Sequence, residues 1–498
     1  MGEHILAIDQ GTTGSTCLVI ELATGRAGRR VKVLGRGYRE LEQHFPQPGW
    51  VEHDLNEIWA ATEFAMGQAL RASKVRGSKI DAIGITNQRE TTGIWDLRGR
   101  PVHRAIVWQD RRTADRCTAV RAAGHGPLFR ARTGLVIDPY FSGTKVGWLL
   151  DQVPGLRQKA EAGNLRFGTI DTWLLWKLTT GVQHKTDASN ASRTLLYDIK
   201  RGQWDAQLCD LLGRIPASLL PEVCGSAEIF GHTKGLEVLP DGIPVAGIAG
   251  DQQSALFGQA CLSEGMGKCT YGTGAFALVN TGIEPVATEH LLATIAWRIN
   301  GLTTYALEGS VFIAGAAVQW LRDGLKLIKK APEIEKLARS VPDSGEVVVV
   351  PAFTGLGAPH WRPEARGIIA GITRGTTAAH LARATLEGIA FQVFDLFAAM
   401  TKDYGRPLAS LRVDGGACAN DLLMQFQADL LGIDVLRPEV IETTALGAGF
   451  LAGLGAGIFA DTAEIERAWK LDRAFQRKMA PAKVDEALTR WHAAVQKA

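Results

Sequence analysis

The feature that most constrains the fold is a strand–turn–strand pattern with a glycine- and threonine-rich turn, which occurs twice in the chain. Residues 4–9 form a short apolar run that leads into a GTTG turn at residues 11–14, and a second apolar run follows at residues 15–20. The same layout returns at residues 267–279 around a GTG turn. Two such hairpins, one in each half of the chain, predict a duplicated architecture.

Strand-like and helix-like patterns alternate along the rest of the chain. Further strands that end in turns are expected at residues 81–87, 243–250, 346–353 and 411–416, and helices at residues 380–400 and 421–431. This alternation is typical of α/β layers, and 498 residues are too many for one core. We expect two domains, residues 1–255 and 256–498, around a central cleft.

Composition excludes several classes of protein. The chain has 55 basic and 52 acidic residues, and its seven cysteines are scattered without metal-ligand or disulfide spacing. No segment approaches eighteen consecutive apolar residues and no signal peptide is evident, so we expect a cytoplasmic protein without membrane insertion. The densest basic run is interpreted as a solvated loop and strand, not as a nucleic-acid site; it comprises Arg26, Arg29, Arg30, Lys32, Arg36 and Arg39.

The glycine–threonine turns have the composition of a phosphate site. Glycines let backbone N–H groups approach phosphates, and threonines add hydroxyl donors, which singles out Thr12, Thr13 and Thr273. Asp9 ends the strand before the first turn and is a candidate Mg²⁺ ligand. An ordinary hairpin with a polar tip is the alternative for either turn taken alone. Neither a Walker-type loop nor a dinucleotide-binding GxGxxG follows the first strand.

Two further turns carry candidate site residues. Asp251 follows an apolar strand and opens a helix, where it could accept a proton from a hydroxyl nucleophile or simply cap the helix. Gly416 and Asn420 follow another strand, where they could hold adenosine or form a plain capped turn. Each segment taken alone leaves both interpretations open.

Arg89 and Glu90 place a donor fork beside a carboxylate at the end of the strand expected at residues 81–87. Such a pair matches the alternating donors and acceptors of a polyol, although a surface ion pair is the alternative. Trp108 and Phe276 are candidates for contact with the carbon skeleton of the polyol. Either aromatic ring could instead belong to the hydrophobic core.

Longer stretches of the sequence resemble the FGGY carbohydrate kinases over essentially the whole chain. The matching stretches are DQGTT at residues 9–13, GITNQRETT at 84–92, GLVIDPYFSGTK at 134–145, GDQQ at 250–253, YGTG at 271–274, QWLRD at 319–323, PAFTGLGAP at 351–359 and RVDGGA at 412–417. The resemblance implies two duplicated ribonuclease H-like domains of the actin and hexokinase type, an ATP-dependent kinase, and a homo-oligomer, either dimer or tetramer.

The resemblance also implies a role for each matched residue, with glycerol as the polyol and Asp251 as the base. The implied glycerol-binding residues are Arg89, Glu90, Trp108, Tyr140, Asp251, Gln252 and Phe276. The implied nucleotide-binding residues are Thr12, Thr13, Thr273, Gly315, Gln319, Gly416 and Asn420, with Asp9 near Mg²⁺. Gly14 of the first turn is a further candidate for contact with the nucleotide. Tyr140, Gly315 and Gln319 enter through the resemblance alone.

The first turn departs from the family pattern, because Gly14 and Thr16 stand where the family has Ser and Arg. A phosphate-facing cation is therefore missing from this turn. Two other functions remain open from the sequence: a kinase for a related small polyol or pentulose, and a non-catalytic actin-like ATP-binding module. A dependence of ATP consumption on particular polyols distinguishes them.

Overall fold

The computed structural model describes residues 2–25, 28–362 and 364–498, so Arg26 of the basic run lies outside the described residues.

Elements of the first half begin with a long hairpin and end with a buried strand and a short helix. Its strands are β1 (Glu3–Gln10), β2 (Gly14–Gly25), β3 (Gly28–Glu40), β4 (Glu52–His53), β5 (Ala82–Asn87), β6 (Gly93–Asp96), β7 (Ala105–Ile106), β8 (Leu165–Gly168), β9 (Lys185–Asp187), β10 (Tyr197–Asp198), β11 (Gln203–Trp204), β12 (Glu222–Cys224), β13 (Gly231–His232) and β14 (Pro244–Gly250). Its helices are α1 (Leu55–Ser73), α2 (Ala114–Ala122), α3 (Gly126–Thr133), α4 (Ser142–Gln152), α5 (Leu156–Glu161), α6 (Ile170–Leu178), α7 (Ala188–Ala191), α8 (Ala206–Leu211) and α9 (Asp251–Gly258).

Elements of the second half begin with a second hairpin and end with a helix. Its strands are β15 (Met266–Tyr271), β16 (Ala275–Gly282), β17 (Leu292–Ile299), β18 (Leu302–Val311), β19 (Val348–Val350), β20 (Ile368–Ala370), β21 (Ser410–Asp414), β22 (Val435–Pro438) and β23 (Leu471–Phe475). Its helices are α10 (Gly315–Asp323), α11 (Glu333–Ala338), α12 (Ala378–Tyr404), α13 (Asp421–Leu431), α14 (Thr443–Gly455), α15 (Thr462–Ala468) and α16 (Pro481–Val495).

The two large sheets share one topology. In the first sheet, β3, β2 and β1 are antiparallel neighbours, and β5 and β14 follow β1 in parallel. In the second sheet, β18, β16 and β15 are antiparallel neighbours, and β21 and β22 follow β15 in parallel. This 3-2-1-4-5 strand order, present in both halves, confirms the predicted duplication and the α/β class.

The halves are packed together through small residues. Helix α14, although it belongs to the second half of the sequence, covers one face of the first sheet and packs against α9. A Cβ at Gly447 would collide with the Ser254 carbonyl, and a Cβ at Gly84 would collide with the Ala448 carbonyl. Gly84 in the first half and Gly447 in the second half therefore allow close packing between the halves. The end of β14 and the residues that follow it consequently lie close to the second half.

One expected strand has a different role from the one predicted. Residues 346–353 contain only the short strand β19, which pairs with β20 outside both large sheets. Pro351 ends this strand because it lacks the N–H that a ladder needs. None of the helices in the described parts of the chain has the length and apolar character needed to cross a bilayer.

Candidate active site

Arg89 and Asp251, the two residues at the centre of the candidate site, follow two neighbouring parallel strands. Arg89 follows the end of β5, and Asp251 is the first residue of α9, directly after β14. Because the carboxyl ends of parallel strands meet at one edge of a sheet, these side chains converge, and Arg89 Nε lies 3.0 Å from Asp251 Oδ1. Gly250 makes room for this contact, since a Cβ there would lie 2.6 Å from Arg89 Cδ.

Asp251 does not cap its helix. Gly250 occupies the cap position with an extended backbone, and Asp251 follows it at the first helical position. One carboxylate oxygen accepts the Gln252 N–H at 2.7 Å, and 30% of the Asp251 side chain is solvent-exposed. The carboxylate is therefore held locally, close to Arg89, while part of it remains open to the cleft.

Glu308 on β18, in the second half of the chain, joins the guanidinium groups of two arginines. It accepts hydrogen bonds from both terminal nitrogens of Arg89, including one of 2.9 Å from Nη2, and one of 3.0 Å from Arg193 Nη2. Burial raises the pKa of Glu308, but the positive charges of Arg193 and Arg89 outweigh burial and lower that pKa to about 2. Glu308 therefore stays ionised and fixes the plane of the Arg89 guanidinium.

Glu90 is fixed by both its side chain and its backbone. Its Oε1 accepts a 2.6 Å hydrogen bond from Arg193 Nε, and its φ of 62° lies in the left-handed region, which is rare for a side-chain-bearing residue. Its carbonyl accepts hydrogen bonds from Thr92 Oγ1, Ser142 Oγ and Lys145 Nζ at 3.0–3.3 Å. These donors stabilise a turn that would otherwise be strained.

Lys145 on α4 connects the Glu90 turn to the segment that carries Tyr140. Its Nζ donates to the Tyr140 carbonyl at 2.6 Å as well as to Glu90, and the side chain is 1% exposed. Burial lowers the pKa of Lys145 to about 7, although the carboxylates of Glu90 and Asp110 act in the opposite direction. The ammonium thus bridges two segments that supply predicted polyol ligands.

Aromatic side chains connect the predicted polyol site to the first glycine–threonine turn. The Trp108 ring meets the Tyr140 ring edge-on at a centroid distance of 5.6 Å, and Trp108 Nε1 donates to Thr12 Oγ1 at 2.9 Å. Tyr140 also lies under the guanidinium of Arg193, at 5.7 Å from its ring centroid. Phe276 lies on β16, half-buried, beside the second turn. The predicted polyol and phosphate regions are therefore contiguous.

Gln252 is held from the second half of the chain. Its side-chain oxygen accepts a hydrogen bond from the buried Lys268 of β15, which also donates to Thr270 Oγ1 at 2.9 Å. Burial lowers the pKa of Lys268, while the carboxylates of Asp414 and Asp251 act against that shift. Lys268 brings a positive charge near Asp251 that sequence reasoning did not identify.

The two glycine–threonine turns have matching backbone hydrogen bonds. Gly11 donates to the Gly14 carbonyl, and Gly272 donates to the Gly274 carbonyl, each at 2.9 Å. The second turn also joins the start of α10, because the Gly315 N–H donates to the Gly272 carbonyl at 2.9 Å. A Cβ at Gly315 would lie 2.6 Å from that carbonyl oxygen, so only glycine fits. Gln319 lies about one turn further along α10 and is exposed.

Gly416 and Asn420 lie after β21, next to the second hairpin. Gly415 has a φ of 83° and packs against the Tyr271 backbone, while Gly416 is exposed with open space where a Cβ would be. Asn420 caps α13, since its side-chain oxygen accepts the Leu423 N–H at 3.0 Å. The side-chain oxygen of Asn420 is therefore committed to the helix, and a contact of Asn420 with the nucleotide stays a prediction.

Asp9 lies where a divalent cation would relieve repulsion. Burial and the nearby carboxylate of Asp251 raise the pKa of Asp9 to about 7, and the positive charge of Arg36 acts in the opposite direction. Two carboxylates near each other beside a glycine–threonine turn match the hard oxygen ligands that Mg²⁺ prefers. The donor set around Asp9 therefore suits a hard divalent cation such as Mg²⁺.

Comparisons with known proteins agree with this architecture. The model of the N-terminal domain of the FGGY family of carbohydrate kinases matches residues 4–258, and the model of the C-terminal domain matches residues 267–456. The chain is 58% identical to a glycerol kinase of Myxococcus xanthus, with 100% of this chain and 99% of that protein covered. It is 55% identical to a glycerol kinase of Deinococcus radiodurans, with 100% and 98% covered.

Solved structures agree as well. The crystal structure of Plasmodium falciparum glycerol kinase with ADP superimposes with a TM-score of 0.92 at 38% identity, with 100% of this chain and 98% of that chain covered. A gluconate kinase from Lactobacillus acidophilus superimposes with a TM-score of 0.87 at 20% identity over 100% and 98% of the two chains, which shows the shared fold alone.

The fold and the comparisons define a carbohydrate kinase with a duplicated, actin-like ATPase architecture. The chain belongs to the FGGY family of carbohydrate kinases, as its motifs predicted. Within that family its sequence groups with the proteins named glycerol kinase. The domain boundary between residues 255 and 256 stays a prediction.

Proposed function

We propose that this protein transfers the γ-phosphoryl group of ATP to a primary hydroxyl of glycerol, giving sn-glycerol 3-phosphate and ADP. The observation that carries the proposal is the Arg89–Asp251 pair at one strand edge, connected to the first glycine–threonine turn through the Trp108–Thr12 hydrogen bond. This hydrogen bond supports a polyol site that adjoins a phosphate site. Full-length identity of 55–58% to proteins named glycerol kinase supports the choice of polyol.

Arg89, Glu90, Gln252 and Tyr140 would bind the glycerol hydroxyls. Glu308 holds the guanidinium of Arg89, and Arg193 holds one carboxylate oxygen of Glu90, so both groups are preorganised. Preorganisation lowers the ordering cost of binding. Trp108 and Phe276 would contact the carbon chain, and a deoxy analogue would leave buried polar groups unpaired at about 1–3 kcal/mol each.

Asp251 would act as the general base. As the new bond forms between the glycerol oxygen and the γ-phosphorus, the bond from that phosphorus to the ADP oxygen breaks, and the hydroxyl proton passes to the Asp251 carboxylate. The Arg89 contact at 3.0 Å holds this carboxylate in place. Positioning of this kind is the main protein contribution to phosphoryl transfer.

The nucleotide would lie between the two hairpins. Thr12, Thr13, Gly14 and Thr273 would contact the phosphates, whereas the remaining predicted ligands would face the rest of the nucleotide: Gly315, Gln319, Gly416 and Asn420. A magnesium ion held by Asp9 would neutralise phosphate charge during transfer. Assembly as a homo-oligomer and a cytoplasmic location stay predictions.

A polyol panel tests this function. ATP consumption would be measured with glycerol, 1,2-propanediol, 1,3-propanediol, erythritol, xylulose and no acceptor. We expect consumption to depend on glycerol and to fall sharply with each propanediol, because each lacks one hydroxyl. Faster ATP consumption with erythritol or xylulose would mean that this compound, and not glycerol, is the preferred substrate. ATP consumption independent of every acceptor would contradict kinase activity.

A further inference from the structure

Two side chains of β3 lie on the sheet face that leads to the first phosphate turn. The strand register places Tyr38 opposite Thr16, and Thr16 opposite Asp9, so these three side chains share one face of the sheet. Arg36 lies opposite Leu18 and two residues from Tyr38, and therefore shares this face as well. The face leads directly to the tip of the first hairpin.

Tyr38 and the backbone of β3 together exclude a side chain at position 14. A Cβ at Gly14 would lie 2.6 Å from the Arg39 carbonyl oxygen and 2.7 Å from both the ring and the hydroxyl of Tyr38, so a larger residue there would collide with both. The Tyr38 hydroxyl thus stands where a side-chain hydroxyl at position 14 would be. Tyr38 is nevertheless 40% exposed, which leaves it accessible to a ligand at the turn.

Arg36 is an exposed cation beside this tyrosine. Its guanidinium lies 5.5 Å from the Tyr38 ring centroid, and the described part of the chain places no carboxylate within ion-pairing distance of it. Because Tyr38 fills the space beside Gly14, the guanidinium that stacks on its ring lies on the face that leads to the first turn. An arginine that stacks on an aromatic ring and lacks an acidic partner is suited to bind phosphate.

We propose that Arg36 and Tyr38 bind the β- and γ-phosphates of ATP and supply from β3 the cation and the hydroxyl that Gly14 and Thr16 do not supply from β2. The proposal rests on the proposed function insofar as the first turn binds nucleotide. It assigns a nucleotide-binding role to Tyr38 and to Arg36, which was predicted to belong to a solvated basic run.

Equilibrium binding of ATP, ADP and adenosine tests this proposal without any need for turnover. Arg36→Ala is compared with Arg39→Ala, a matched control on the same strand whose guanidinium lies over Phe64 on the opposite face. We expect Arg36→Ala to weaken ATP about tenfold or more, ADP less, and adenosine not at all, whereas Arg39→Ala has little effect. Tyr38→Phe should weaken ATP by a smaller factor.

Rescue separates a phosphate role from a structural one. Adding Thr16→Arg to Arg36→Ala returns a cation to the same face from β2, and we expect it to restore most of the ATP affinity. Equal losses for Arg36→Ala and Arg39→Ala, or a loss that includes adenosine, would overturn the proposal. If the variants show the expected differences in ATP binding but the protein has no polyol-dependent turnover, the proposed function is contradicted and the role of Arg36 stands.

Discussion

The guanidinium of Arg89, from the first half of the chain, donates a 2.9 Å hydrogen bond to the carboxylate of Glu308, from the second half. The same carboxylate accepts from Arg193, which in turn holds Glu90. A residue outside the predicted polyol site thus fixes two residues within it. The geometry of glycerol binding therefore depends on the packing of one half of the chain against the other.

Glu308→Gln should raise the glycerol KM about tenfold or more with little change in the ATP KM. The amide cannot accept charge-assisted hydrogen bonds from both arginines, so Arg89 loses its fixed orientation. Steady-state kinetics with each substrate varied in turn measures this split. Glu161→Gln, on the exposed end of α5, is the control, and equal effects on both substrates would indicate a general loss of structure instead.

Arg89→Ala should raise the glycerol KM further than Glu308→Gln does, because it removes the ligand itself and not only its support. Arg89→Lys should not rescue binding, since an ammonium cannot contact Asp251 and Glu308 together in the planar arrangement seen here. The same kinetic measurement applies. A larger effect on the ATP KM than on the glycerol KM would place Arg89 outside the polyol site.

The strand-end residues of this site were predictable from sequence, and their partners were not. Arg89 and Asp251 each follow an apolar strand, a position where ligands gather in α/β sheets. Glu308 lies within a strand more than 200 residues from Arg89 in the sequence, and local patterns carry no information on such a contact. A single charged residue in a strand that otherwise carries no charge was the available signal, because buried charges are rarely unpaired.

The predicted nucleotide-binding residues were likewise only partly evident from the sequence. The turns at Thr12 and Thr273 were evident from their composition, while Gln319 came only from the family resemblance. Arg36 was interpreted as solvated because its basic run lies among glycines and was taken to lack interleaved stacking aromatics, whereas the structure stacks it on Tyr38. Its relation to Gly14 depends on the register between β2 and β3, which the sequence alone did not fix.

Asp9→Asn should increase the Mg²⁺ concentration required for half-maximal activity and leave the glycerol KM unchanged. The amide keeps the shape of the side chain but removes the negative charge that attracts the cation. Initial rates measured against Mg²⁺ at saturating glycerol and ATP give the requirement. An unchanged Mg²⁺ dependence would exclude Asp9 as a ligand.

Lys145 should make folding stability depend on pH. Its pKa is lowered from the ordinary value to about 7, so the unfolded chain binds more protons than the folded chain between about pH 7 and 10. Stability from this group is therefore fully present above about pH 10 and is lost progressively as the pH falls from about 10 to about 7. Against Lys145→Met, the wild-type free energy of unfolding should gain about 1–3 kcal/mol from pH 7 to 9.

Urea unfolding at several pH values measures this difference. Lys159→Met, on the exposed side of α5, is the matched control and should give a difference from wild type that does not vary with pH. A pH-independent difference for Lys145→Met as well would mean that the buried amine titrates at an ordinary pKa.

The role of Asp251 as general base is tested most directly by phosphoryl transfer in Asp251→Asn, measured together with the ATP dissociation constant of the same variant. We expect kcat to fall by about a hundredfold or more. ATP should bind within about twofold of the wild-type affinity, because the carboxylate acts on the acceptor hydroxyl and not on the nucleotide. Turnover near the wild-type rate would contradict this account.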